Sequence, residues 1–189
     1  MNNKTLLWVV LIILVALGMG VFFISLRNQT ISPVGGSAAS PKDATYIIEG
    51  QPIKLTNGIF ATSTAPGSAS KITTQYFGNE ATGDLNGDGI PDVGFILTQT
   101  TGGSGTFYYA VAALKTANGY QGTNGVLLGD RVAPQTTEIT DGVLIANYAD
   151  RNPDEPMTTQ PSLGVSKYLL LENGSLVEAP TSAMHSSPL

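Results

Sequence analysis

The sequence predicts a mainly β fold, an antiparallel sandwich or half-barrel with room for one short helix, preceded by a single transmembrane helix. Three features predict this: short runs rich in β-branched and aromatic residues, Asn-Gly and Asp-Gly dipeptides between them, and one long apolar run near the N-terminus. Only 12% of the residues are charged and 22 are glycine, which favours strands and turns over helices. A short helix would fall near Ala61–Ser70 or Tyr109–Ala117.

The apolar run from Leu6 to Ile24 contains no charged residue and extends, with its neighbours, over residues 5–26. A helix of that length, rising ~1.5 Å per residue, crosses a hydrocarbon core of ~30 Å. A cleaved signal peptide is the competing interpretation, but its apolar region is shorter and ends in small residues. This run instead ends in Phe22-Phe23-Ile24-Ser25-Leu26-Arg27, so we expect an uncleaved signal anchor in the cell membrane.

The charges beside the apolar run indicate its orientation. Lys4 and the amino terminus precede the run and Arg27 follows it, so the positive-inside tendency places the C-terminal side outside the cytoplasm. A Gly-, Ser-, Ala- and Pro-rich stretch follows, which is typical of a flexible tether. The predicted organisation is a cytoplasmic N-terminus (1–4), a membrane helix (5–26), a linker (27–43), an extracytoplasmic β-domain (44–178) and a disordered tail (179–189).

The composition excludes several classes of function. Two of the nine basic residues flank the apolar run, so seven remain against fourteen acidic residues, a net charge of −7 that disfavours nucleic acid as a partner. The chain has no cysteine, which excludes disulfides, thiolate metal sites and thiol nucleophiles. Its single histidine, His185, lies in the predicted tail, so a Ser–His–Asp triad or a histidine zinc site is not expected.

The strand-like runs are separated by turn dipeptides. Asp141-Gly142 and Asn173-Gly174 each sit between two such runs and predict tight hairpins, and Asn57-Gly58, Asn118-Gly119 and Asn124-Gly125 predict further turns. The run at Thr106–Lys115 suits a strand or a helix, and its aromatic residues favour the strand. In chain order the predicted strands are Tyr46–Glu49, Ile53–Leu55, Lys71–Phe77, Val93–Thr98, Thr106–Lys115, Val126–Leu128, Thr136–Thr140, Val143–Tyr148, Lys167–Glu172 and Leu176–Glu178.

The segment Asp84–Asp92, DLNGDGIPD, contains a pattern suited to calcium. Calcium takes six to eight oxygen ligands, and alternating oxygen side chains on a curved loop can converge on one ion. Gly89 permits the sharp turn, and several carboxylates so close together favour a cation between them. The predicted structural Ca²⁺ ligands are the side chains of Asp84, Asn86, Asp88 and Asp92 and the carbonyl of Ile90. The alternative is a metal-free turn in which Asp and Asn side chains cap their own backbone.

The stretch Gly83–Val93 resembles the calcium loop of dockerin modules and of the FG-GAP repeats of integrin-type propellers, which share its D-x-N-x-D-G-x-x-D pattern. That resemblance implies calcium binding and, after an FG-GAP loop, an apolar strand such as Val93–Leu97. Position 12 of the EF-hand pattern is Phe95 rather than glutamate, and only one copy is present. The stretches Gly83–Asp92, Gly102–Phe107 and Gly129–Val132 together resemble a group of uncharacterised exported bacterial β-domains, which implies export and a β fold.

Other segments suggest little chemistry. Thr101–Thr106, TGGSGT, lacks the lysine of a phosphate loop and is expected to connect two strands. Gly129-Asp130-Arg131 predicts a turn with a local ion pair, and the proline-bounded loop Asn152–Pro161 predicts a surface connection. We expect neither catalytic nor organic-cofactor-binding residues, and a non-enzymatic module that binds an envelope protein or polymer of unknown identity. The alternative is a carboxylate hydrolase of an extracellular glycan or peptide, using for example Glu80, Asp130 or Glu138.

Overall fold

The computed structural model describes residues 38–179. The predicted N-terminus and membrane helix, residues 27–37 of the predicted linker and residues 180–189 of the predicted tail lie outside the described residues. Among those described, no helix has the length and apolar character needed to cross a bilayer. The described chain is mainly β and its sheets are antiparallel, which confirms the predicted fold class at that level.

A 3-10 helix and twelve strands follow one another along the described chain. Residues 38–43, within the stretch predicted as linker, contribute the 3-10 helix and pack with the strands. The elements are the 3-10 helix Pro41–Asp43, β1 Thr45–Ile48, β2 Gln51–Lys54, β3 Ile59–Ser63, β4 Lys71–Gly83, β5 Asp92–Thr100, β6 Phe107–Thr116, β7 Gly119–Gly122, β8 Val126–Asp130, β9 Ala133–Thr140, β10 Val143–Asp150, β11 Leu163–Glu172 and β12 Ser175–Glu178.

The strands form three antiparallel sheets. The largest has the order β3-β4-β5-β6-β7, with β8 pairing the first half of β6 beside β7. A second sheet has the order β12-β11-β10-β9, and β1 and β2 form a separate hairpin. Neighbours in sequence are mostly neighbours in the sheets, as expected when short turns connect antiparallel strands.

Two hydrophobic cores cover the two faces of the large sheet. Because side chains alternate along a strand, Ile96 and Ala112 point into one core, and Phe95 and Val111 point into the other. The first core is completed by Leu144 and Leu169 of the four-stranded sheet, and the second by the β1–β2 hairpin. β5 and β6 are therefore buried on both faces, which explains their nearly continuous apolar sequences.

The predicted turn dipeptides form tight hairpin turns where two strands meet. Asp141 and Gly142, and likewise Asn173 and Gly174, both have positive φ angles, as the two-residue hairpin requires. Glu49 and Gly50 adopt the same conformation between β1 and β2, although glutamate gives no turn signal there. Asn124, predicted to lie in a turn, instead sits in an isolated bridge opposite Ile47.

The prediction of a short helix near Ala61–Ser70 or Tyr109–Ala117 is wrong, since the described chain has no α-helix at either position. Residues 109–116 belong to β6, and Ala61 to Ser63 belong to β3. The alanines of β6 have a high helix propensity, but each faces one of the two cores and its small side chain lets the neighbouring layer approach. Tertiary burial on both faces overrides the local preference in this segment.

Candidate metal-binding loop

The segment predicted to bind calcium connects β4 to β5, the two strands with the most extensive pairing in the large sheet. Gly83 lies opposite Asp92 in the β4–β5 register, so the loop leaves and re-enters the sheet at adjacent positions. Close packing fixes this end, because a Cβ placed on Gly94 would clash with Leu144 Cδ1 of the four-stranded sheet. The loop therefore projects from a rigid end of the molecule's central sheet.

Asp92 holds the loop to the sheet. Its side chain is 0% exposed, its Oδ2 accepts the N–H of Leu85 at 3.0 Å, and its Oδ1 accepts the N–H of Lys115 at 2.7 Å. Burial raises the pKa of Asp92; the two N–H groups act in the opposite direction, and the charges of Asp88 and Asp84 add to the rise. Both oxygens of this predicted ligand thus serve the protein backbone.

Asp84, at the start of the loop, organises the turn. Its Oδ1 accepts the N–H of Gly87 and its Oδ2 accepts the N–H of Gly89, each at 2.8 Å. The N–H of Gly89 is the main cause that lowers the pKa of Asp84 below its usual value, with a further contribution from Gly87. Asp84 is therefore a carboxylate at neutral pH, and two backbone donors fix its direction.

Asn86 and Asp88 lie beside each other in the exposed half of the loop. Asn86 Oδ1 accepts the N–H of Asp88 at 2.9 Å, and its Nδ2 donates to Asp88 Oδ2 at 3.0 Å. Asp88 Oδ1 in turn accepts the N–H of Ile90 at 2.7 Å, and the Ile90 side chain is 46% exposed. These are the Asx-type hydrogen bonds expected of a turn capped by its own side chains.

The fit of this loop to calcium depends on its remaining oxygen capacity. Within residues 38–179, no three His, Asp or Glu side chains are placed closely enough to form a ready metal site. An ionised carboxylate has about four lone-pair directions, so Asp84, which accepts two hydrogen bonds, retains acceptor capacity. Asp84, Asn86 and Asp88 thus fit a hard cation in donor chemistry. Asp92 faces the protein interior and is committed to two N–H groups.

The three carboxylates considered for hydrolysis lie on different strands, each with a contact of its own. Glu80 of β4 pairs with Lys42 at 3.7 Å. Asp130 of β8 forms the predicted local ion pair with Arg131 at 3.1 Å. It also accepts the N–H of Thr106. Glu138 of β9 is exposed and accepts the Thr136 hydroxyl at 3.4 Å. Among the described residues the buried carboxylate is Asp92, and its two hydrogen bonds to backbone N–H groups give it a structural role.

The outward face of the four-stranded sheet is a feature that sequence reasoning missed. Leu144, Ala146 and Tyr148 of β10 point into the first core, so the residues between them point outward. On that outward side Ile145 lies opposite Tyr168, and Val143, Leu170 and Val177 form a row across three strands. These five residues are half-buried and belong to neither core of the described domain. Together we call them the outer-face patch.

Polar side chains border the outer-face patch. The Asn147 amide donates to the Thr136 hydroxyl at 2.9 Å, and Ser166 donates to the Asn147 amide oxygen at 2.6 Å. Glu138, opposite Ile145, adds a negative charge at the same surface. In a strand with one buried face, apolar and polar residues alternate along the sequence. This alternation is weak in β10 and β11 because several of their outward residues are also apolar, so the sequence did not distinguish the two faces.

The structure and sequence thus define a class, an acidic antiparallel β-domain with an Asp-rich loop between two central strands. No protein-family model, curated protein or solved structure matches the chain.

Proposed function

We propose that this chain is a membrane-anchored, extracytoplasmic β-domain that acts as a non-enzymatic binding module of the cell envelope, with a structural calcium ion in the Asp84–Asp92 loop. The observation that carries the binding role is the outer-face patch. A partly exposed apolar surface with polar borders suits an interaction site, because association removes its remaining apolar area from water. The partner is an envelope protein or polymer.

Binding through the outer-face patch is tested with the full-length chain in detergent, mixed with purified insoluble cell-wall polymer and sedimented. We expect the polymer to deplete the protein from the supernatant, and the change Tyr168→Ala with Ile145→Ser to abolish depletion. Thr82→Ala, an exposed substitution on β4, is the matched control. Equal depletion of the double variant and the control would exclude the patch as the polymer site. Membrane-protein partners are then sought by cross-linking from the same positions.

Calcium binding is supported by the arrangement of Asp84, Asn86 and Asp88. Backbone N–H groups direct their oxygens, so a cation would meet a largely formed loop with little ordering left to complete. The Ile90 carbonyl and water would complete the coordination, since calcium needs six to eight oxygens. We propose that Asp92 positions the loop from beneath. The ion would neutralise the carboxylates and staple the turn without taking part in a reaction.

The membrane anchor is supported by the sequence of residues 5–26, which lie outside the described residues. The test is protease digestion of intact spheroplasts that express the chain with a C-terminal epitope. We expect loss of the epitope without permeabilisation and recovery of the full-length chain in the membrane pellet. A protease-resistant epitope in intact spheroplasts, with digestion only after lysis, would place the domain inside the cell and overturn export.

A further inference from the structure

Several edges of the sheets are closed by hydrogen bonds. Beside β7, Ala38 and Tyr120 exchange two backbone hydrogen bonds, at 2.9 and 2.7 Å. Beside β12, the Asn124 side chain accepts the N–H of Leu176 at 2.7 Å and donates to its carbonyl at 3.0 Å. On β9, Asn79 donates to the Gln135 carbonyl at 3.1 Å. Such covers prevent strand edges from pairing with other chains.

β3 forms the opposite edge of the large sheet, and its outer side has no such cover among the described residues. Two hydrogen bonds show which residues of this edge bond to the β4 side: Tyr76 N–H donates to the Gly58 carbonyl, and Thr64 N–H donates to the Ser70 carbonyl. The direction of the backbone hydrogen bonds alternates along a strand. The N–H and C=O groups of residues 58, 60, 62 and 64 therefore point towards β4, and those of residues 59, 61 and 63 point away from it.

The open part of this edge is short. Ile59 exchanges two hydrogen bonds with Thr56, which satisfies its outward groups. The backbone N–H and C=O groups of Ala61 and Ser63 have no partner in the part of the chain that the structure describes. Two donors and two acceptors therefore stand in a row on the solvent side of β3.

β3 also lacks the usual protection against edge pairing. Its sequence, IFATS, contains no charge and no proline, and its register with β4 is unbroken by a bulge. Four of its five residues are exposed, and Ile59 is 53% exposed. Natural proteins commonly guard such edges with lysine, proline, a bulge or a covering loop. Its open, neutral edge is suited to accepting a further strand.

We propose that β3 pairs antiparallel with β3 of a second copy of this chain, about a two-fold axis that passes beside Thr62. In that register Ala61 lies opposite Ser63 of the second copy, and Ser63 lies opposite its Ala61. Both are hydrogen-bonded pairs, so all the free groups of the two edges find partners. Thr62 then faces Thr62 of the second copy as the non-hydrogen-bonded pair at the centre.

The shortness of the edge favours a second copy over a long peptide. The Thr56–Ile59 bonds close the slot on one side, and the chain turns away after Thr64 on the other. A longer strand would leave its remaining backbone groups unpaired, whereas another β3 matches donor to acceptor. The strand is uncharged, so two acidic domains can meet here without placing like charges opposite each other.

The contact is smaller than the ~800 Å² per partner of a standard interface, so we expect weak association in dilute solution. For its strength in the cell the pairing rests on the proposed membrane anchor, because tethering in one bilayer raises the effective concentration of the domains. The geometry of the pairing depends on β3 alone.

The test uses the absence of native cysteine in the chain. Full-length Thr62→Cys is reconstituted in liposomes and oxidised with copper phenanthroline, with Thr140→Cys, also exposed, as the matched control. Non-hydrogen-bonded pairs have Cα atoms ~4.5 Å apart, within reach of a disulfide. We expect disulfide dimer from Thr62→Cys to form at least ~10-fold faster than from the control, because pairing concentrates the two thiols.

Two further changes in the Thr62→Cys chain separate strand pairing from random collision. Ala61→Pro removes an outward N–H, and Ser63→Lys brings like charges together across the axis; each is expected to reduce cross-linking to the Thr140→Cys rate. Ala61→Thr, which keeps the N–H, should cross-link at the undiminished rate. Circular dichroism melting verifies that each variant is folded.

Equal rates at positions 62 and 140, or a position-62 rate unaffected by both Ala61→Pro and Ser63→Lys, would overturn the pairing. Liposome flotation and repetition of the comparison in concentrated detergent solution test the anchor separately. Failed flotation with selective cross-linking in detergent would refute the anchor and support the β3 contact. Normal flotation with unselective cross-linking would do the reverse.

Discussion

The backbone N–H of Lys115 donates to Oδ1 of buried Asp92 at 2.7 Å, which joins the end of β6 to the base of the Asp84–Asp92 loop. Through its other oxygen Asp92 also accepts the N–H of Leu85 at 3.0 Å. One carboxylate therefore satisfies two donors from different parts of the chain. The loop's position on the sheet depends on this side chain more than on the exposed acids of the turn.

Replacement of Asp92 should destabilise the domain strongly. Asp92→Ala leaves the N–H groups of Leu85 and Lys115 without an acceptor, and we expect a loss of about 2–4 kcal/mol in the free energy of unfolding. Urea denaturation followed by far-UV circular dichroism measures this free energy. Asp88→Ala, which removes an exposed carboxylate, is the control and should cost less than about 1 kcal/mol without calcium. Equal midpoints for the two variants would contradict this role.

Calcium should raise the melting temperature of the full-length protein. An ion present at tenfold excess over its dissociation constant adds about 1.4 kcal/mol to the stability of the form that binds it. We expect millimolar calcium to increase the melting temperature by a few degrees relative to chelator, and Asp88→Ala to remove the increase. Thr62→Ala, an exposed change on β3 opposite Ile72 and away from the loop end of β4, should preserve it. Identical melts of the wild-type chain with calcium and with chelator would refute the site.

The loop acids should give the stability curve a defined pH dependence. The folded-state pKa of Asp84 lies below its usual value. Its contribution to folding stability is therefore complete above a pH of about 4 and is lost as the pH falls through the folded-state pKa. The stability difference between wild type and Asp84→Asn should therefore shrink on acidification. Denaturant midpoints from pH 2 to 7 measure it, and a difference that grows towards low pH would contradict the assignment.

Because burial raises the pKa of Asp92, its effect on the pH dependence of stability is opposite to that of Asp84. Its pKa is raised in the folded state, so its titration removes stability as pH rises from about 3.9 through the folded pKa. Asp92→Asn is informative here because it removes the titration while retaining one acceptor oxygen.

Removal of one buried hydroxyl should stabilise the fold. Thr137 Oγ1 is, within the described residues, the buried side-chain polar atom that lacks a hydrogen-bond partner. Thr137→Val keeps the shape and removes the unsatisfied group, so we expect a gain of about 1 kcal/mol in urea denaturation. The neighbouring Thr136→Val is the control, because the Thr136 hydroxyl accepts the Asn147 amide and its loss should bring no gain. A loss of stability in Thr137→Val would indicate that the hydroxyl is hydrogen-bonded.

Loss of the Asn124 amide should loosen the edge of the four-stranded sheet. Asn124 pairs with both backbone groups of Leu176, so Asn124→Ala should cost about 1–3 kcal/mol and accelerate hydrogen exchange at Leu176. Asn118→Ala, at the exposed turn before β7, is the matched control. Unchanged exchange at Leu176 would show that the amide is not needed to hold this edge.

The sequence by itself determined much of the local structure of this domain. Asp141-Gly142 and Asn173-Gly174 form the predicted hairpin turns, because tight turns require φ angles that few residues accept. The β-branched and aromatic runs form the predicted strands, most of them longer than predicted, but β3 (Ile59–Ser63) and β7 (Gly119–Gly122) lie where no strand was predicted. The sequence also identified the residues of the Asp84–Asp92 loop, since their spacing is a local property.

Only the tertiary structure decided which partners these residues found. Asn124-Gly125 reads as a turn, yet the Asn124 amide closes a strand edge 52 positions away. Asp92 matched a calcium ligand by spacing, and its contact with Lys115, across 23 positions, turns it inward. Residues 107–116 became a strand because two cores cover its faces. Backbone sterics act within a few residues, whereas burial and pairing depend on segments that folding alone brings together.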